Sequence, residues 1–345
     1  MALVKPSYNA DRIILGERLP IDTPLSVILD VSERCNFKCN YCFRSGQKDE
    51  SWGFAASNEL MPQEIFERAV RQLKEFSQKL KSVSLSGHGE PLCNPCLADM
   101  ARQLKESGVT ENIDIHTNAS LLTKANVKDI AGAGFTRIVV SLQGLNAAAY
   151  KRVCGAKMDW ECFYNNLKLL YESKYKDLKI HIKIADAALE EKNYAEDEER
   201  FHFLFDGIAD YIFVEKTVPL WRNIDIDADM ATTKFGGSFG DVDYCPLVFY
   251  KMMVAPDGEI YPCTGLPPPT SFGNIRGVTL LEVWNSRERN NFLKEHLRLT
   301  RHNHAPCKGC FVPVNSIMSH EDIIDPYKDA ILKRLEGQPD DKGKN

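Results

Sequence analysis

The stretch SVILDVSERCNFKCNYC, residues 26–42, joins a short β-rich run to three closely spaced cysteines. The run SVILDVS (26–32) predicts a strand because β-branched and aliphatic residues dominate it. Cys35, Cys39 and Cys42 follow at CxxxCxxC spacing, and three such thiolates can hold one corner of a cuboidal iron–sulfur cluster. A [4Fe–4S] cluster takes four ligands, so one iron stays open to an outside amino and carboxylate group. The alternative is a zinc site, which needs a fourth cysteine or histidine.

Beyond this loop the chain alternates short β-rich runs with helical patterns up to about residue 215. The further predicted strands are 82–86, 112–117, 137–142, 178–184 and 211–215, and the predicted helices are 61–76, 97–108, 123–134 and 160–173. A strand–helix series implies right-handed crossovers and a parallel sheet. Six such strands predict an α/β fold, a partial and open (β/α)6 TIM-like barrel, although a doubly wound flat sheet would give a similar pattern.

Composition and charge limit the classes of partner. The chain has 345 residues, 43% of them hydrophobic, and a formal net charge of −5. This balance argues against nucleic acid as the principal partner, and no apolar run is long enough to cross a membrane. The eleven cysteines accompany no signal-peptide pattern, which favours metal binding or catalysis over disulfides. We therefore expect a cytoplasmic protein without nucleic-acid or membrane partners.

Together with the cysteine loop, several later segments resemble the radical S-adenosylmethionine (SAM) superfamily. They are SGHGEP (86–91), TN (117–118), SLQG (141–144) and YKRVCG (150–155). The first three lie where predicted strands end, and parallel α/β sheets build their sites at those ends. The resemblance implies a barrel in which Cys35, Cys39 and Cys42 hold a [4Fe–4S] cluster that binds SAM.

The resemblance also implies positions that contact SAM. These are Tyr41, Gly87, Gly89, Glu90, Asn118, Ser141 and Arg152. Tyr41 matches an aromatic position near the adenine, and the glycine-rich segment matches one that meets the methionine amino group. His88 departs from the pattern, since another glycine is common there. Ser141 and Arg152 match ribose and carboxylate contacts, for which the planar arginine fork is well suited.

Four cysteines frame the C-terminal quarter: Cys245, Cys263, Cys307 and Cys310. Between them, Asp257-Gly258 predicts a hairpin and residues 277–297 predict a helix. This arrangement resembles the auxiliary-cluster extension of radical SAM enzymes, called SPASM or, in its short form, twitch. The resemblance implies a second [4Fe–4S] cluster closed by four thiolates, with a four-cysteine zinc ribbon as the alternative.

The predicted organisation is an N-terminal extension (1–25), the radical SAM barrel (26–218), a linking or substrate-covering loop (219–244), the auxiliary-cluster domain (245–320) and a C-terminal helix with a polar tail (321–345). The implied activity is reductive cleavage of SAM to a 5′-deoxyadenosyl radical, which removes a hydrogen atom from a substrate carbon. A flavodoxin-type reductase is the expected electron donor.

Candidate catalytic groups lie at or beyond the last two strands. Glu215 is the first choice for a base, with a lysine salt bridge as the alternative reading, and Lys183 and Asp186 are further candidates, as are Asp225 and Asp227. Cys154 would give an epimerase if its thiol donated a hydrogen atom, and packing is the alternative. Among the remaining cysteines, Cys93 and Cys96 are expected to pack ordinarily and Cys162 to lie in the core.

The short extension resembles enzymes that dehydrogenate or epimerise a sugar- or aminocyclitol-like small molecule, and we expect such a substrate. About 25 residues precede the first strand, too few for the N-terminal peptide-binding domain that peptide-modifying relatives often carry. Epimerisation, oxidation or cross-linking of a peptide or protein is the alternative. A metal-binding scaffold without turnover is a third interpretation.

Overall fold

The computed structural model describes residues 1–6, 12–45, 57–221, 223–224, 232–240, 242–305 and 307–337, without the side chain of Glu191. Asp225 and Asp227, two of the predicted catalytic candidates, lie outside the described residues.

In the described part of the chain, nine strands form one sheet that is mostly parallel. They are β1 (Leu3–Val4), β2 (Ser26–Leu29), β3 (Leu80–Ser84), β4 (Thr110–Thr117), β5 (Arg137–Leu142), β6 (Lys179–Ala185), β7 (Tyr211–Glu215), β8 (Lys251–Val254) and β9 (Ile260–Tyr261). Their order across the sheet is β1-β7-β6-β5-β4-β3-β2-β8-β9, and only the β8–β9 pair is antiparallel. The predicted α/β fold with a partial TIM-like barrel is confirmed.

Helices connect the strands and continue into the C-terminal region. They are α1 (Leu15–Arg18), α2 (Gln63–Leu73), α3 (Leu97–Ser107), α4 (Val127–Ala131), α5 (Ala147–Cys154), α6 (Trp160–Ser173), α7 (Tyr194–Phe205), α8 (Leu247–Tyr250), α9 (Leu280–Asn285), α10 (Arg287–Arg298), α11 (Val312–Ser316) and α12 (Lys328–Glu336). Among the residues described, no helix is both long enough and apolar enough to pass through a lipid bilayer.

The two faces of the sheet differ in chemistry because successive side chains of a strand point to opposite sides. Val83 and Ile115 on the helix-facing side are fully buried. On the concave side, Ser84, Asp114 and Arg137 are register partners on three adjacent strands. The Ser84 hydroxyl donates to Asp114 Oδ1 at 3.0 Å, and Arg137 Nη2 lies 3.3 Å from Asp114 Oδ2. The barrel therefore has a polar interior.

The C-terminal region joins this same sheet. The predicted hairpin at Asp257-Gly258 is present, with Val254 opposite Ile260. Its first strand, β8, also pairs in parallel with β2, and Ser26 is opposite Lys251. The hairpin therefore extends the barrel sheet beyond β2, which the sequence did not predict.

Candidate active site in the barrel

The loop after β2 holds the three N-terminal cysteines, all partly buried. It packs on the C-terminal end of α5, where the Asn40 N–H donates to Val153 O at 2.9 Å. Burial raises the pKa of Cys35 to about 11 and also raises the pKa of Cys42. A metal cation would offset this desolvation and favour the thiolate forms. Three neighbouring thiols of this kind fit one corner of a cluster.

Cys154 lies against this loop. Its thiol is buried, donates to Tyr150 O at 3.0 Å and hydrogen-bonds with the Cys39 thiol. That bond raises the pKa of Cys39 and lowers the pKa of Cys154. The structure therefore places the Cys154 thiol, at the end of α5, next to Cys39, a predicted cluster ligand.

Glu90 ties the ends of β3 and β4 to the cysteine loop. Its carboxylate accepts hydrogen bonds from Leu92 N at 3.0 Å, from Asn118 N at 2.7 Å and from the Thr117 hydroxyl. Its own N–H donates to Arg34 O at 2.8 Å. Burial raises the pKa of Glu90 to about 7, although these hydrogen bonds act in the opposite direction. Glu90 thus organises the loops around the predicted SAM site.

Gly87 and Gly89, next to Glu90, allow two segments of the backbone to pack closely against each other. A Cβ on Gly89 would lie 2.5 Å from Arg34 O and 2.7 Å from the carbonyl carbon of Glu33. A Cβ on Gly87 would collide with the Asp30 carboxylate. The resemblance implies close approach to the ligand, whereas the contacts seen here are with Asp30, directly after β2, and with residues 32–34, which lead into the cysteine loop.

His88 links this loop to the C-terminal region, and sequence reasoning assigned it no role. Its Nδ1 lies 3.4 Å from Asp30 Oδ2, and its Nε2 lies 3.2 Å from Thr264 O, next to Cys263. Burial lowers the pKa of His88, but the hydrogen bond and charge of Asp30 outweigh it, and the net shift is upward. The only signal in the sequence was the departure from a glycine at this position.

The other predicted SAM contacts come from the cysteine loop, the end of β4, β5 and α5. Burial, and next the charge of Cys39, raise the pKa of Tyr41 well above its usual value. Asn118 Nδ2 donates to Asn36 Oδ1 at 2.9 Å, within the cysteine loop. Ser141 on β5 is the register partner of Lys183. Arg152 lies 2.9 Å from Glu190 and donates to Ala188 O at 3.2 Å.

Glu215 and Lys183 meet inside the barrel, as the salt-bridge alternative anticipated. The Lys183 ammonium contacts Glu215 Oε2, and Lys234 Nζ lies 3.6 Å from Glu215 Oε1. Burial raises the pKa of Glu215, but the two lysines lower it by more, so the carboxylate stays ionised. Asp186 is not part of this group. Its Oδ1 accepts from the backbone N–H groups of Ala187 and Thr217, each at 2.7 Å.

His116 is an interior residue that sequence reasoning missed. It lies two residues after Asp114 on β4, so both face the concave side, and its Nε2 is 3.7 Å from Asp114 Oδ1. Desolvation by the surrounding protein atoms, followed by the charges of Lys183 and Arg137, holds the pKa of His116 well below its usual value, although 43% of the side chain is solvent-exposed. The imidazole is therefore neutral at physiological pH. The alternation in NIDIHT (112–117) was the available signal.

The four C-terminal cysteines also converge. Burial, and then the charges of Cys263, Cys310 and Cys307, raise the pKa of Cys245 well above its usual value. The Gly265 N–H donates to Cys263 Sγ at 3.4 Å, and a Cβ on Gly265 would also lie 3.8 Å from Cys310 Sγ. Four mutually interacting thiols fit a closed four-thiolate site.

A histidine pair adjoins this site. His296 is buried, and its Nε2 lies 3.5 Å from Cys307 Sγ. The His304 ring packs on it with centroids 4.3 Å apart. The sequence did not predict this contact, since His296 falls within a helix pattern.

Two family models match the chain. The radical SAM superfamily matches residues 29–196, and an iron–sulfur cluster-binding domain, SPASM, matches residues 245–311. The chain belongs to the radical SAM superfamily. It carries a C-terminal SPASM domain, and its cofactors are SAM, a SAM-binding [4Fe–4S] cluster and an auxiliary [4Fe–4S] cluster. The matched ranges contain all seven predicted cluster cysteines.

Curated relatives share parts of this radical SAM enzyme. A probable GTP 3′,8-cyclase of Thermococcus kodakarensis is 35% identical over 127 residues, 37% of this chain and 38% of the relative. The match thus spans well under half of that relative's length. A tungsten-containing aldehyde ferredoxin oxidoreductase cofactor-modifying protein of Pyrococcus furiosus is 23% identical over 295 residues, 75% of this chain and 80% of the relative.

Solved structures share its fold. SuiB of Streptococcus suis bound to the precursor peptide SuiA has a TM-score of 0.58 and 19% identity, over 78% of this chain and 66% of that one. BtrN in complex with AdoMet and 2-DOIA has a TM-score of 0.50 and 16% identity, over 83% of this chain and 92% of that one. At these identities the likeness concerns the fold.

Proposed function

We propose that this radical SAM enzyme dehydrogenates a hydroxyl-bearing carbon of a sugar- or cyclitol-like small molecule. Cys35, Cys39 and Cys42 would hold the SAM-binding cluster, and Cys245, Cys263, Cys307 and Cys310 would hold the auxiliary cluster. With one electron from an external reductase, bound SAM would supply the 5′-deoxyadenosyl radical that takes one hydrogen atom, and the auxiliary cluster would accept one electron. A protein base takes the hydroxyl proton, which balances the conversion of an alcohol to a ketone.

One observation carries this proposal: proton-accepting groups and the auxiliary cysteines adjoin the same polar interior. Lys251 lies on the concave side of β8 as the register partner of Ser26, and the hairpin that it begins leads to Cys263; Asp114 lies on the same side of the sheet, on β4. Asp114 is in turn 3.7 Å from His116. An electron acceptor and a proton acceptor beside the same cavity are what the oxidation of an alcohol requires.

His116 is the better base by geometry. Its imidazole is neutral at physiological pH, and the recorded neighbour of its Nε2 is the Asp114 carboxylate at 3.7 Å, which would stabilise the imidazolium formed when the ring accepts a proton. The Glu215 carboxylate is already paired with Lys183 and Lys234, so protonating it would break two ion pairs. In this proposal Glu215 and Lys183 orient the substrate, Asp186 holds the loop after β6, and Tyr41, Gly87, Gly89, Glu90, Asn118, Ser141 and Arg152 form or support the SAM site.

The position of Cys154 favours oxidation over epimerisation. An epimerase returns a hydrogen atom to the substrate from a donor such as a thiol. The Cys154 thiol instead donates to Tyr150 O and meets Cys39 at the cluster loop. This supports dehydrogenation, since a substrate in the interior would not meet the thiol directly.

The test uses anaerobically reconstituted enzyme with SAM, dithionite and a panel of sugars and cyclitols in heavy water. We expect a product two hydrogens lighter, formed in step with 5′-deoxyadenosine and without deuterium at carbon. His116→Gln should lower product formation about 10²–10⁴-fold while keeping the iron content. The control is His302→Gln, at a half-exposed residue beside Asp243. Deuterium at the reacting carbon would establish epimerisation, and full activity of His116→Gln would exclude that residue as the base.

Peptide modification is the second candidate, favoured by the higher TM-score of the peptide-bound SuiB structure. Mass spectrometry of a peptide panel under the same conditions distinguishes the two. A peptide that loses two hydrogens or gains a cross-link, with the sugars unchanged, would replace the first proposal.

A further inference from the structure

His88 lies between the two predicted cluster sites, in the loop that follows β3. Its side chain is only 5% exposed. Its ring packs edge-on against Phe43, with centroids 6.1 Å apart, and its Nε2 lies 3.2 Å from Thr264 O. Phe43 directly follows Cys42, and Thr264 directly follows Cys263. One buried ring therefore contacts the residue next to a predicted ligand of each cluster.

The neighbours of the two ring nitrogens favour a positively charged ring. The neighbour of Nε2 is the Thr264 carbonyl oxygen, which only accepts, and the neighbour of Nδ1 is the Asp30 carboxylate at 3.4 Å. A neutral imidazole carries one N–H and can donate to only one of these groups, whereas an imidazolium donates to both. Asp30 is fully buried, so its carboxylate also needs a positively charged partner.

The other charged groups around His88 are bound elsewhere. Arg44 is buried, and its guanidinium donates to backbone oxygens, from Nε to His88 O at 2.9 Å and from Nη2 to Glu33 O. The Glu33 carboxylate accepts from the N–H of Ser57 at 2.9 Å and from its hydroxyl at 2.6 Å. Ligand atoms of Asp30, Glu33 and His88 lie within 4.8 Å of one another. With the ring charged, the two carboxylates and the two cations of this group balance.

We propose that His88 is a positioning residue that joins the two cluster sites and makes the auxiliary cluster easier to reduce. Thiolate-bound clusters are negatively charged and reduction adds one more negative charge, so a cation beside the site favours the reduced state. The imidazolium contacts the residue next to Cys263, and little solvent is present there to screen its charge. This inference goes beyond the proposed reaction, since it holds for any substrate that gives an electron to the auxiliary cluster.

The test is a redox titration of the holoenzyme, followed by electron paramagnetic resonance with and without SAM. SAM changes the signal of the cluster that it binds, which separates the two clusters. His88→Gln removes the positive charge and keeps an N–H that can donate to Thr264 O. We expect it to shift the reduction equilibrium of the auxiliary cluster about tenfold toward the oxidised form, about 59 mV for one electron. The control His202→Gln, on α7 beside Phe201, should leave this equilibrium unchanged.

Two further variants separate charge from packing. Asp30→Asn removes the carboxylate that holds the proton on Nδ1 and should give the same shift as His88→Gln. His88→Gly removes the ring as well, so we expect the lower reduction potential together with weaker magnetic coupling between the two reduced clusters. Iron content and circular dichroism check that each variant is loaded and folded.

A wild-type reduction potential in both His88→Gln and Asp30→Asn overturns the proposal, because the ring would then only fill space. A lower potential in these two variants, with the control unchanged, supports it. The measurements use no substrate. Failure of dehydrogenation alongside the expected shifts would therefore refute the proposed reaction alone.

Discussion

Replacing Gly89 with alanine should damage both the stability of the barrel and the cluster loop. A Cβ at this position would lie 2.5 Å from Arg34 O and 2.7 Å from the carbonyl carbon of Glu33, with Ser32 O closer still. Real Cβ atoms essentially never approach closer than 3.0 Å, so the backbone must move by at least 0.5 Å. These atoms directly precede Cys35, and flexible side chains are not among them. The displacement of this backbone would therefore also move Cys35, the first predicted cluster ligand.

Overpacking of this kind costs about 1–3 kcal/mol. We expect Gly89→Ala to lower the free energy of unfolding in urea by that amount and to lose iron from the SAM-binding cluster. The auxiliary cluster should keep its electron paramagnetic resonance signal, since its cysteines lie in another segment.

The matched control is Gly207→Ala. A Cβ there meets no atom within 4 Å, so stability should change by less than about 0.5 kcal/mol. Wild-type stability and full iron content in Gly89→Ala would refute the reasoning, because the loop would then tolerate the displacement.

Three further predictions follow from buried groups. The pKa of Glu90 is raised from near 4.5 to about 7, so the folded state binds its proton more readily than the unfolded state, and this residue's contribution lowers stability as pH rises from 4.5 through 7. Over this pH range the free energy of unfolding falls by about 3 kcal/mol. The urea midpoint of Glu90→Gln should not show this pH dependence, and midpoints that change with pH in parallel for the variant and the wild type would contradict the prediction. Lys183→Met should lower the free energy of unfolding in urea by about 1–3 kcal/mol. This is less than the cost of breaking an isolated buried ion pair, because Lys234 still neutralises Glu215. An unchanged urea midpoint would show that the Lys183–Glu215 pair does not stabilise the protein. His296→Phe removes a hydrogen-bond donor to the Cys307 thiolate. Redox titration should therefore give a lower reduction potential for the auxiliary cluster at unchanged iron content. A reduction potential equal to that of the wild type would disprove this hydrogen bond.

Local patterns predicted the barrel well because strand, helix and cysteine spacing are encoded within a few residues. The predicted helix over 277–297 is instead two helices, α9 and α10. Ser286 has an extended backbone and caps α10 by accepting from Arg289 N at 3.0 Å. A serine capping signal thus outweighed continuous periodicity. Cys162 was predicted to be in the core and is exposed, since the buried stripe of α6 runs through Phe163 and Leu167.

The interior of the candidate site was less predictable because its members come from distant segments. His88 meets Thr264 across 176 residues, and Lys234 reaches Glu215 from a loop without periodicity. Neither contact leaves a pattern in sequence. Glu215 and Lys183 were proposed from their positions at strand ends; Lys183 is the register partner of Phe213, and Glu215 lies two residues further along β7 on the same face.

The shared edge between β2 and β8 makes the auxiliary domain a part of the barrel wall. A truncated protein ending before Cys245 would leave the backbone N–H groups of Leu25 and Asp30 without their acceptors, Tyr250 O and Val254 O. Such a fragment would self-associate through the exposed edge of β2. The two metal-binding regions therefore do not form independent modules.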